Sequence, residues 1–155
     1  SRGLGDVYKR QSHVVENFCR YLIQNGFVNV NHEKMSKSIG NVLLVHDLLD
    51  QAPGEAIRYA LLSTHYRSPL DWSDELLATA KNSLDRLYGA LESLQDIPAS
   101  EFDDALTSVF ESALCDDLNT PLAMSELHAL AKKANTSNDV AEQAQLKAAL
   151  LYCGK

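Results

Sequence analysis

At 155 residues the chain has room for one domain or two small ones around a modest core. Its 45% apolar and 23% charged residues are an ordinary soluble balance, with no apolar run near the roughly 20 residues of a membrane helix. A net charge of −7, from 14 basic and 21 acidic residues, argues against a general nucleic-acid coating surface but leaves room for a local basic grip. Charge is unevenly placed: Lys34 and Lys37 stand close together, whereas residues 92–117 hold eight carboxylates and no lysine or arginine.

The first eleven residues, SRGLGDVYKRQ, show neither helical nor strand periodicity. A DNA string that encodes them resembles a transposase sequencing-adapter end, so residues 1–11 read as an adapter scar and are set apart from the fold; a disordered basic tail is the alternative. No signal-peptide pattern is present. Over residues 13–24, Val14, Val15, Phe18, Cys19, Leu22 and Ile23 fall at helical spacing, and Asn25 with Gly26 ends the run. FVNV, residues 27–30, alternates and predicts a short strand. VLLVHDLLDQ, residues 42–51, is a strand or the start of a helix, and periodicity alone does not decide. After Pro53 and Gly54, EAIRYALLSTHY predicts a helix with Ile57, Leu61 and Thr64 on one face, and RSPLDW is extended because Pro69 disfavours helix before it.

From residue 73 the pattern is helical. Ser73 is a natural N-cap, with Trp72 and Leu77 placed for a hydrophobic staple. Leu77, Ala80, Leu84, Leu87, Leu91 and Leu94 form a seam of packed helices. Ile97 and Pro98 turn the chain into a helix carrying Phe102, Leu106, Val109, Phe110 and Leu114. Thr120 predicts the next N-cap, with Pro121 at the permitted first position. A last helix runs from about Asn138 to Gly154. The cysteines Cys19, Cys115 and Cys153 lie far apart in no metal-ligand spacing, which predicts reduced, mostly buried thiols of a cytosolic protein.

The segment EKMSKSIGN, residues 33–41, carries the chemistry. Lysines three apart, with Ser36 and Ser38 beside them and Gly40 after them, can aim two ammonium groups and several donors at one point. A triphosphate takes such donors, which strengthen as charge develops on a leaving group. The glycines of a Walker loop are missing, and on spacing alone a solvated basic turn fits as well.

KMSKS, residues 34–38, is similar to the second signature of class I aminoacyl-tRNA synthetases. NGFVNVNHEKMSKSIGN, PGEAIRYALLSTHYRSPLDWS and DDLNTPLAMSELHALAKKAN, in that order, resemble the cysteinyl-tRNA synthetase family of bacterial type, over nearly all of residues 12–155. The resemblance implies a mainly α chain: the end of an α/β, Rossmann-like nucleotide-binding catalytic domain (12–40) with the signature loop, a stem-contact region (41–72), and an antiparallel helical bundle (73–155). It implies an enzyme, cysteine–tRNA ligase, that activates cysteine with ATP and Mg to cysteinyl-adenylate and pyrophosphate, then transfers cysteine to tRNA(Cys). The setting it implies is a cytoplasmic monomer without a membrane partner.

Carried onto this chain, Lys37 is the principal ATP contact and Lys34 assists, both stabilising the α-phosphate transition state and departing pyrophosphate. Ser36 and Ser38 add hydrogen bonds or shape the turn, and Met35 packs inward. Gly40 allows an unusual backbone conformation or a close approach, and Asn41 fixes the turn. His65 and Arg67 either meet RNA or support the loop. Arg58 reads as a partner in an ordinary ion pair, Asp116 and Asp117 as carboxylates favoured near a helix N-terminus, and His128 as exposed or packed. His32 departs from a position that is often glycine or a basic residue in relatives, which bears on loop mobility.

The HIGH signature does not occur in the 155 residues. The zinc ligands implied by the family belong upstream of Ser12, and Cys19 does not replace them, so the chain alone is expected to be inactive. Two other readings share these features. One is a ligase joining cysteine to an amino-sugar in thiol biosynthesis; the other is a non-catalytic helical RNA-binding or scaffold module with incidental lysines.

Overall fold

The computed structural model describes residue 21 and residues 23–154. The adapter-like start, Cys19 and most of the predicted 13–24 helix lie outside the described residues; Tyr21, Ile23 and Gln24 belong to no helix. The predicted strand forms β1 (Val28–Val30), which pairs antiparallel with β2 (Glu33–Lys34). Two residues join them, Asn31 and His32, at φ 51° and 68°. A two-residue connection with both centres at positive φ suits the right-handed twist of a hairpin. β3 (Leu70–Trp72) lies parallel to β1, with Val28 opposite Leu70 and Val30 opposite Trp72, so the sheet order is β2-β1-β3.

Parallel neighbours need a long crossover. Residues 42–51, ambiguous in sequence, take the helical option as α1 (Val45–Leu49), and α2 (Gly54–Leu62) completes the connection. The parallel pairing extends beyond the strands: the Gly26 N–H donates to the Tyr66 carbonyl at 2.7 Å, and the Leu70 N–H to the Phe27 carbonyl at 2.9 Å. The approach is so close that a Cβ on Gly26 would stand 2.1 Å from the Ser68 carbonyl oxygen.

The buried face of α2 differs from the predicted one. Ala56, Ile57 and Ala60 are buried, Leu61 is exposed, and Thr64 lies beyond the helix. The small residues Ala56 and Ala60 let α2 approach its neighbour closely, which turns Leu61 outward. That neighbour is α3 (Asp74–Ser93), capped as predicted: the Ser73 hydroxyl accepts the Leu76 N–H at 3.1 Å, and Trp72 and Leu77 are buried in one cluster.

The leucine seam of α3 serves two cores. Leu77 and Ala80 join Leu48, Ile57, Leu70 and Trp72, with Leu84 packed alongside. Leu94 instead joins Leu130, Leu146 and Leu150, with Leu87 and Leu91 packed against them. A helix of 20 residues is about 30 Å long, enough to reach from one cluster to the other.

The segment after Pro98 is not the single helix predicted. A 3₁₀ turn (Asp104–Leu106), capped by the Asp103 side chain on the Ala105 N–H, precedes α4 (Ser108–Cys115). Phe102 and Leu106 reach the second core from this irregular segment, and Val109 faces solvent. α5 (Thr120–Thr136) also starts differently: Asn119, not Thr120, is the N-cap, accepting the Leu122 N–H at 3.3 Å. The Thr120 hydroxyl is occupied elsewhere, donating to the Leu62 carbonyl at 2.7 Å. α6 (Val140–Cys153) begins behind an Asp139 cap. Its Lys147 ammonium donates to the carbonyls of Leu94, Gln95 and Ile97 at 2.8, 3.2 and 2.7 Å, closing the turn that ends α3. The described chain is therefore mainly helical with one small three-stranded sheet. Among the described residues no helix is long and apolar enough to cross a membrane.

Candidate functional site: the lysine loop

The loop is held by its own backbone and by one asparagine. The Met35 N–H donates to the Val28 carbonyl at 3.2 Å, continuing the hairpin past β2. The Asn41 side chain then spans the turn: its Oδ1 accepts the Ser36 N–H at 2.9 Å and its Nδ2 reaches the Lys34 carbonyl at 3.4 Å. The Gly40 N–H donates to the Ser36 carbonyl at 3.2 Å, with Gly40 at φ 76° and nothing within 4 Å of where its Cβ would be. Gly40 thus takes the left-handed backbone conformation that glycine favours.

Ser36 and Ser38 are brought together, their hydroxyls 3.1 Å apart, and the Ser36 hydroxyl also accepts the Ile39 N–H at 3.3 Å. Met35 is half-buried. The two lysines differ. The Lys34 ammonium stands 4.4 Å from the centroid of the Phe27 ring, a cation–π contact. Lys37 is exposed and makes no ion pair or hydrogen bond with any described residue.

The segment carrying His65 and Arg67 docks onto the loop before α5. Arg67 Nε and Nη2 donate to the two Asp117 carboxylate oxygens at 2.5 and 3.0 Å, and the Tyr66 hydroxyl donates to the same carboxylate at 2.5 Å. The Arg67 guanidinium and the Tyr66 hydroxyl together hold the Asp117 carboxyl down at about 2. The same contacts push the Arg67 and Tyr66 protonation ranges upward. His65 stacks on Tyr66 at 4.9 Å between ring centroids, and its Nδ1 accepts the Arg67 N–H at 3.3 Å.

Asp117 lies just before the Asn119 cap of α5, as expected, and is in addition a structural partner of Arg67. It and Leu118 adopt φ 52° and 55°, which turns the chain back into α5. His128 is half-buried, its Nε2 2.7 Å from the Tyr59 hydroxyl. Burial first, and then Arg86, lowers its protonation range. Arg58 is exposed and makes no ion pair with any described residue, contrary to the expectation from sequence. Asp71, which carries a contact to His32, and the partnership of Asp117 with Arg67 were not anticipated. Residue spacings of 39 and 50 leave no periodic signal. Among the described residues no group of three or more His, Cys, Asp or Glu side chains is placed to hold a metal ion.

Two family models match the chain: the class I (C) tRNA synthetase catalytic domain over residues 6–82, and the DALR domain over residues 109–153. A cysteine–tRNA ligase of Parvibaculum lavamentivorans is 62% identical over 137 residues, covering 88% of this chain and 29% of that protein. One of Xanthomonas campestris is 53% identical over 137 residues, with the same coverage, 88% and 29%. One of Caulobacter vibrioides is 49% identical over 148 residues, 94% of this chain and 32% of that protein. The chain spans less than a third of the length of these relatives. With both family models matching in order and the signature loop built as described, the chain belongs to the cysteinyl-tRNA synthetase family of class I.

Proposed function

We propose that this chain supplies the nucleotide-gripping loop of a cysteine–tRNA ligase, an enzyme that joins cysteine to ATP as cysteinyl-adenylate and then esterifies tRNA(Cys). The observation that carries the reading is Lys37. It is the lysine of the loop left without an internal partner, on a turn that Asn41 and Gly40 hold in shape. Its ammonium is free to meet a phosphate oxygen, and its contribution is electrostatic, growing as negative charge develops on the departing pyrophosphate. Lys34, resting on Phe27, assists from the end of β2. The Ser36 and Ser38 hydroxyls keep capacity for a phosphate oxygen beyond the bond they share, and Met35 and Gly40 shape the approach.

Mg would enter bound to the phosphate oxygens of the nucleotide. In this reading residues 12–40 close the catalytic domain, residues 41–72 face the tRNA stem, and residues 73–155 form an antiparallel helical bundle beside it. The enzyme acts as a cytoplasmic monomer. Arg67 and His65 act chiefly by anchoring the stem-contact region through Asp117, although the guanidinium keeps about half its surface open. The chain spans 29% of its P. lavamentivorans relative and contains no HIGH motif, and by itself it does not activate cysteine.

The test is ATP–pyrophosphate exchange by the full-length ligase. Lys37→Ala should lower kcat by about a hundredfold or more. An unchanged rate would sink the reading, and exchange above background by the 155-residue chain alone would overturn its inactivity.

A further inference from the structure

We propose that Asp71 is a positioning residue for the lysine loop, acting through His32; this rests on the nucleotide-binding reading of that loop. The turn between β1 and β2 asks both its residues for positive φ, 51° at Asn31 and 68° at His32. Asparagine and histidine enter this region more readily than most residues, but a histidine there still costs more than a glycine and gains from support. Burial does not supply it, because the His32 side chain is 92% exposed.

Asp71 does. It stands on β3 opposite Asn29, and its Oδ1 accepts the His32 backbone N–H at 2.8 Å while its Oδ2 meets the His32 Nδ1. A neighbouring bond, from the Asn31 N–H to the Trp72 carbonyl at 3.1 Å, ties the same turn to the end of β3. Only Glu33 separates His32 from Lys34. The turn sets the register of β2, and that register places the Met35 N–H on the Val28 carbonyl, the last backbone bond to β1 before the loop begins. A carboxylate on β3 therefore sets where the loop starts and ties it to the strand that leads into α3.

Four variants test this: Asp71→Ala, Asp71→Asn, His32→Gly and the double variant Asp71→Ala with His32→Gly. In the 155-residue chain, Asp71→Ala should speed hydrogen exchange at the Met35 amide by about tenfold. Asp71→Asn, which keeps an acceptor for the His32 N–H, should do less and covers the case in which Asp71→Ala fails to fold. Glycine needs no help at positive φ, so the double variant should restore Met35 protection. A role of Asp71 confined to β3 or α3 would not be rescued by a change at residue 32.

In the full-length ligase the KM for ATP in pyrophosphate exchange should rise several-fold with Asp71→Ala and return with the double variant. Unchanged Met35 protection in Asp71→Ala, or failure of glycine to restore it, overturns the proposal. Failure of the nucleotide reading shows separately, as Lys37→Ala leaving exchange untouched, and would remove the ATP part whatever Met35 does.

Discussion

Replacing Lys147 with methionine keeps most of the apolar length of the side chain and deletes the ammonium that closes the end of α3. In the folded chain that group donates to three carbonyls, those of Leu94, Gln95 and Ile97, at 2.7–3.2 Å. Carbonyls at a helix C-terminus carry the negative end of the helix dipole and lack further intrahelical donors. A bond to a charged donor contributes about 1.5–3 kcal/mol when well buried. The three do not sum: the Gln95 carbonyl is exposed and recovers water, the Leu94 carbonyl also accepts the Ile97 N–H, and the ammonium regains its hydration on unfolding. A net loss of about 2 kcal/mol follows, or a melting temperature lower by roughly 4–8 °C for a chain of this size. Circular dichroism on heating, and urea titration, measure it directly. The loss should persist at high salt, unlike that of an exposed pair such as Lys81 with Asp85. A Lys147→Met chain that melts within about 1 °C of the unaltered one refutes this account of the helix end.

Three further outcomes follow from the same geometry. Gly26→Ala places a Cβ 2.1 Å from a backbone oxygen that cannot swing aside, and the resulting separation of β1 and β3 should cost more than about 2 kcal/mol in urea unfolding. The Asp117 carboxyl is held at about 2, below its ordinary value of 3.8, so its ionised form stabilises the fold above the ordinary value. That contribution is lost as pH falls toward 2; carbon NMR should follow the low midpoint, and Arg67→Ala should return it toward the ordinary range. Burial, and then Glu111, pushes the Cys153 thiol up to about 11, whereas Cys115 is exposed, against the expectation of mostly buried thiols. Iodoacetamide near about pH 8 should therefore alkylate Cys115 well before Cys153, and equal rates by peptide mass analysis would contradict the packing around α6.

The parts of the fold legible from sequence are those whose cause is local. Ser73 caps α3 through a bond to Leu76 only three residues on, and the alternation of FVNV is strand chemistry within four residues. The lysine loop belongs here too, since Gly40, Asn41 and the two serines fold back on one another within the segment that names them. Where the reading strayed, a distant group had intervened. Thr120 is drawn from its capping role by the Leu62 carbonyl, leaving Asn119 to cap α5. Leu61 turns outward because Ala56 and Ala60 admit the neighbouring helix.

By itself the sequence determined the family resemblance that the lysine loop carries, and a helical second half with its leucine seam. Tertiary structure decided that this seam is divided between two cores, because a rigid α3 outreaches either one. It also decided that Lys34 rests on Phe27 while Lys37 stays free, that Arg67 closes on Asp117, and that Asp71 holds His32. The physical reason is common to the last two: a carboxylate selects the donor that folding brings within about 3 Å, and no periodicity along the chain encodes that meeting.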